Sequence, residues 1–152
     1  MTEAKTRRKP GFLGLLVALA VVGGPLLWAP SLIRGFAARD WVDHYAAVDS
    51  LPRPHKAAAR AIAEKANIAV QNLAPLPQAS ATAMRALEVG QRFQAEDHDR
   101  EAALVIYQGV RAACAEVRSR PLSGTGFAVV EARAAALEDS ARDPGRKSDA
   151  AK

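Results

Sequence analysis

The sequence predicts an all-α protein: a single N-terminal transmembrane helix, then a small domain of helical hairpins, then a disordered C-terminal tail. Three observations carry this. The stretch "GFLGLLVALAVVGGPLLWAPSLI", Gly11 to Ile33, contains no charged residue. The chain is 49% hydrophobic but only 5% aromatic, with alanine supplying much of the apolar content, and alanine loses no side-chain entropy on entering a helix. Proline and glycine then divide the remainder into segments whose apolar residues recur at helical spacing.

The uncharged run bears most directly on location. Its 23 residues correspond to about 34 Å of helix, against about 30 Å for a hydrocarbon core. A cleavable signal has a shorter apolar region followed directly by small residues at the cut. "ALA" at 18–20 meets the small-residue rule, but the apolar run continues past it. Retention as an anchor is the leading reading, with cleavage near Ala20 and release of a secreted helical protein as the alternative. Lys5, Arg7, Arg8 and Lys9 precede the run and Trp28 stands near its far end, as at a membrane boundary. By the positive-inside rule residues 1–10 form a cytoplasmic basic tail, 11–33 span a bacterial inner membrane, and 34–141 form a periplasmic helical domain. Gly23-Gly24-Pro25 interrupts the run, and Pro25 predicts a kink that frees the carbonyl of Val21. Gly14/Ala18 and Ala20/Gly24 are small pairs four apart, a spacing that lets helices approach closely.

Charge excludes a nucleic-acid partner. The pI is about 9.8, yet residues 1–10 alone carry a net +3, and the other 17 Lys/Arg face 15 Asp/Glu. Acids and bases interleave, as in "EARAAALEDSAR", so no basic stripe is expected.

Beyond the run, 31–49 is expected to continue as helix, with Trp41 and Tyr45 on one face, placed in the interfacial belt or, preferably, on the domain core. "SLPRP" breaks it. Residues 55–74 place Ala58, Ile62, Ala66, Ala69 and Leu73 on one stripe. The next helix, 79–95, carries Ala83, Leu87, Gly90 and Phe93, with Ser80 or Thr82 as its cap. "EDHD" (96–99) reads as a tight polar turn in which Asp99 caps the helix after it. In 100–119, Ala102, Val105, Ile106, Gly109, Val110, Ala113, Cys114 and Val117 form a broad apolar face. After the loop 120–126, a final helix at 127–141 aligns Phe127, Val130, Ala134 and Leu137, and 142–152 lacks periodicity.

"ALEVGQRFQAEDHDREAALVIYQGV" resembles one tetratricopeptide repeat (TPR), a helix–turn–helix, over about residues 83–117. Val89-Gly90 stand where that family has Leu-Gly, Phe93 at its aromatic position, and Ala102 and Gly109 at its small positions. Ala86 replaces the leading Trp, and no proline closes the repeat. The resemblance implies close helix packing at these residues and an interaction module rather than an enzyme.

No catalytic or metal-binding signature appears. His44, His55 and His98 lie on separate segments and read as surface or turn residues. Glu96, Asp97 and Asp99 lack the calcium-loop spacing, "GTG" lacks a phosphate-loop lysine, and a single cysteine, Cys114, excludes an internal disulfide. Neither cofactor nor metal is expected. The expected function is a membrane-anchored interaction or assembly module, an accessory subunit of an inner-membrane complex that takes a protein segment in a groove between 79–119 and 124–141. A small-ligand site assembled from distant residues is the remaining alternative.

Overall fold

The computed structural model describes residues 12–121 and 126–144, and of residues 12–22 and 24–26 it describes the backbone alone. The described chain is helical throughout: α1 (Phe12–Ala47), α2 (His55–Leu73), α3 (Pro77–Ala95), α4 (Arg100–Arg118) and α5 (Gly126–Arg142). The all-α expectation is met. The basic tail 1–10 and residues 145–152 of the expected disordered tail lie outside the described residues.

The transmembrane expectation is overturned. Among the described residues no helix is long and apolar enough to cross a membrane. The single span at 11–33, the inner-membrane location and the periplasmic domain inferred from it go with it. The uncharged run is not a separate element. It opens a 36-residue helix that continues through Arg34, Arg39, Asp40 and Asp43 to Ala47, and Leu32, near the end of the run, already packs against the core. Helical backbone is continuous across Gly23-Gly24-Pro25.

Each later helix starts and stops for a local reason. Pro54 precedes α2, and its carbonyl accepts from the N–H groups of Ala57 and Ala58 at 3.1 and 3.2 Å. Helix α3 begins at Pro77, two residues earlier than the expected 79, with Leu76 at the N-cap. Proline suits a first helical turn because its missing N–H is not needed there. Ser80 and Thr82 are therefore inside the helix and do not cap it: their hydroxyls donate backward to the carbonyls of Pro77 and Gln78, at 3.0 and 2.8 Å. Asp99 does cap α4, its Oδ1 accepting from the N–H of Ala102 at 3.0 Å.

The helices pack around α2 and α4, which lie against each other. Helix α2 also touches α1 and α3, and α4 also touches α3 and α5. The buried faces follow the expected stripes: Ile62, Ala66, Ala69 and Leu73 on α2, Leu87 and Phe93 on α3, Ile106, Val110 and Val117 on α4, Phe127 and Val130 on α5. Glycine permits the closest approaches. A Cβ on Gly109 would stand 2.8 Å from the Cβ of Ala63 on α2, and one on Gly35 would stand 2.7 Å from Leu73. Trp41 and Tyr45 stack at 4.1 Å between centroids and pack, partly buried, against the core. Arg92 of α3 closes the end of α1, donating to the carbonyls of Ala46 and Asp49 at 3.3 and 3.2 Å. A cation suits these carbonyls at a helix C-terminus.

Helix α5 is fastened to α4 by a buried acid. Glu138, 4% exposed, accepts from Arg111 at 3.0 Å and Gln108 at 3.3 Å, and pairs with Arg142. Burial alone would raise its pKa, but the Arg111 and Gln108 hydrogen bonds and the two guanidinium charges outweigh it and hold the carboxyl below the usual range. With Phe127, Val130 and Ala134 also buried, α5 packs along α4 and α3.

Both contacts can be tested by unfolding in urea. Gly109→Val forces α2 and α4 apart at Ala63, a contact with no torsion to relieve it, and is expected to cost about 1–3 kcal/mol. The contribution of Glu138 is fully present above the ordinary carboxylate pKa and is lost as pH falls through its depressed folded value. Urea midpoints of Glu138→Gln should therefore fall less on acidification than those of the parent.

Candidate functional site

The surface feature most unlike an ordinary exterior lies where α1 outruns the rest of the bundle. From Leu32 downward, α1 turns one stripe toward α2: Leu32 partly buried, Gly35 against Leu73 and Asn72, then Ala38 and Val42 buried. One turn above Leu32 the same stripe reaches Trp28, but α2 ends at Leu73 and the chain turns away through Ala74 and Pro75. Trp28 is left 64% exposed and Leu27 80% exposed.

Beneath Trp28 is an open depression of about 440 Å³. Its apolar floor and wall come from Ala74 and Pro75 after α2, Val117 of α4, and Pro121. Its polar rim comes from Ser31, Gln71, Asn72 and Arg120. The Arg120 guanidinium bonds to the side chain of Gln71 and, at 2.9 Å, to Glu116. Asn72 donates to the carbonyl of Ile68 at 2.8 Å, which leaves its amide oxygen for another donor. Ile33, 68% exposed, and Phe36, 36% exposed, lie on the following turns of α1. One aromatic wall, an aliphatic floor and a few amides suit the docking of an apolar segment.

The residues singled out from the sequence distribute around this ledge unevenly. Trp28, expected as a membrane flank, is its principal wall. Gly23 lies beyond the bundle, with open space where a Cβ would be. The side chains of Gly24 and Pro25 and the cut site near Ala20 fall where only the backbone is described. The five residues that carry the TPR resemblance lie on α3 and α4, and none of them lines the depression. Val89, Gly90, Phe93 and Ala102 are buried. Gly90 makes room for Tyr107, whose ring would stand 2.6 Å from an added Cβ, and whose hydroxyl donates to Gln94 at 3.1 Å. Burial pushes the Tyr107 pKa up to about 12. Gly109, expected to bring α3 and α4 together, instead faces Ala63 on α2.

A second cluster was not anticipated. His55, at the start of α2, stands 3.2 Å by Nδ1 from Asp99 and 3.7 Å by Nε2 from Asp97. Its ring lies edge-on to Phe93 at 5.2 Å. Asp99 thus serves two partners, one oxygen on the α4 N-terminus and one on α2. His98 takes a left-handed conformation (φ 54°), and the N–H of Asp99 donates to the carbonyl of Phe93 at 2.9 Å, which closes the turn. The signal for this joint was helix length: α2 and α3 each have 19 residues, so the start of α2 lies level with the end of α3. Among the described residues no group of three His, Cys, Asp or Glu side chains is arranged to hold a metal ion. Cys114 is buried, and burial together with the charge of Glu131 pushes its thiol up to about 12, far from the thiolate form that reacts.

Comparison with known proteins adds no relative: no family model, no curated protein and no solved structure matches the chain.

The double role of Asp99 is measurable. Asp99→Ala should lose the cap, about 0.5–2 kcal/mol, together with the His55 contact. Asp99→Asn keeps a capping oxygen and should retain most of that stability in urea unfolding.

Proposed function

We propose that the chain is a non-enzymatic helical interaction module that docks an apolar helical segment on the ledge formed by α1 and the bundle end. The observation that carries the reading is the concentration of exposed large apolar side chains. Leu27, Trp28, Ile33 and Phe36, all at least 36% exposed, fall within ten residues of one helix. Single exposed apolar residues need no explanation, but four within three turns of one helix, with Trp28 among them lining a depression, mark an interaction surface. The mode is a helix laid into a groove, with Trp28 as the anchor whose burial supplies most of the affinity. The resemblance of the α3–α4 region to a TPR hairpin supports a scaffold role for those helices: they hold the ends of α2 and α4 in place beneath Trp28.

A photo-crosslinking amino acid tests this. Placed at position 28 or 36, it should give discrete adducts in living cells, while the same group at exposed Arg85 or Glu101 should not. Equal labelling at all four positions, or none at 28 and 36, counts against the reading.

A further inference from the structure

We infer that the segment docked on the ledge is α1 of a second copy of this chain, running antiparallel to the first. This rests on the docking reading above and names its partner.

The upper part of α1, Phe12 to Leu27, is helical and extends beyond Leu32, the first residue of α1 among the described side chains that packs on the core. It contains no charged residue, so it has no polar face to turn toward water. A helix apolar on all sides is a buried helix, yet Gly23 has open space beside it and Leu27 and Trp28 are exposed. No remaining part of the chain suits the task of covering it. Positions 1–11 and 145–152 are rich in charge, and positions 122–125 are too few. Another molecule can supply the cover, and the chain itself offers a segment of the right chemistry beside a depression of the right chemistry. A two-fold arrangement satisfies both copies at once, because each presents the same helix and the same ledge.

Length and charge give the direction. The 16 residues Phe12–Leu27 amount to about 24 Å of helix. Two such segments paired antiparallel about Ala20 bring position 12 of one chain level with Trp28 of the other, at the mouth of the depression. A parallel pair would place two tails of net +3 side by side. The antiparallel pair separates them. A pair covers one side of each helix and leaves the other side to a second pair, so two or four copies satisfy the same contact.

The test is sedimentation equilibrium of the full-length chain, with density-matched mild detergent included as a second condition. Particles of two or four times 16.1 kDa are expected, and Trp28→Asp should shift them toward one copy. Val129→Asp, on an exposed position of α5, should not, and unchanged helical circular dichroism shows that both variants fold. Direction is read by disulfides, since the native Cys114 is buried. Positions 13, 20 and 27 are seven apart and share one side of the helix. Ala20→Cys should link to itself, and Leu13→Cys should link to Leu27→Cys in a mixture, while Leu27→Cys alone should not. A single copy in both conditions, free or carried in a micelle, overturns the inference. So does an oligomer that Trp28→Asp leaves intact, or one in which Leu27→Cys links only to itself. A single copy that still gives specific adducts at position 28 would overturn self-pairing and leave the docking reading standing. A single copy without adducts removes both.

Discussion

The bundle depends on how closely α2 and α4 approach. Their contact is set where Gly109 meets Ala63, with no room for one further carbon. Alanine-rich helices have little side-chain surface to bury, so they gain cohesion mainly by bringing backbones near each other. That closeness lets a few larger groups, Ile62, Leu73, Leu87, Phe93 and Tyr107, fill the space between helices completely. Tyr107 depends on the same device, since its ring occupies the volume that any side chain at position 90 would claim. The chain thus reaches dense packing with few rings, and its glycines serve contact rather than turning.

Around this spine the outer helices are joined by polar side chains at their ends. Arg92 holds the end of α1 on α3, His55 holds the start of α2 on the α3–α4 turn, and Arg118 reaches Glu131 at 3.2 Å to join α4 to α5. Exposed ion pairs contribute little each, and several here are half-exposed. Their value is positional: they fix which helix ends lie level. Glu138 differs, because a buried carboxylate with three donors would be costly to leave unpaired.

Much of the bundle was legible in the sequence. Proline pairs marked the breaks before α2 and α3, apolar residues at helical spacing gave the buried faces, and Asp99 was identifiable as a cap from its position before a regular stripe. What escaped detection depended on distance in the chain. The partner of Gly109 lies 46 positions away, and a single glycine says nothing of which neighbour approaches it. His55 and Asp99 are 44 positions apart and meet only because two helices have equal length. Ser80 and Thr82 have the right chemistry for a cap, but Pro77 starts the helix before them. The uncharged opening run misled most, because composition cannot show that its last turns belong to a longer helix seated on α2. The ledge was invisible for the same reason, since it exists only where α1 continues and α2 has stopped.

The two tryptophans divide the molecule into separately observable parts. Trp41 is stacked on Tyr45 against the core, so its emission follows the integrity of the bundle. Trp28 is on the overhang, largely in solvent, so its emission follows whatever covers the ledge. With one replaced by phenylalanine at a time, unfolding and occupancy become two signals from two ends of one helix.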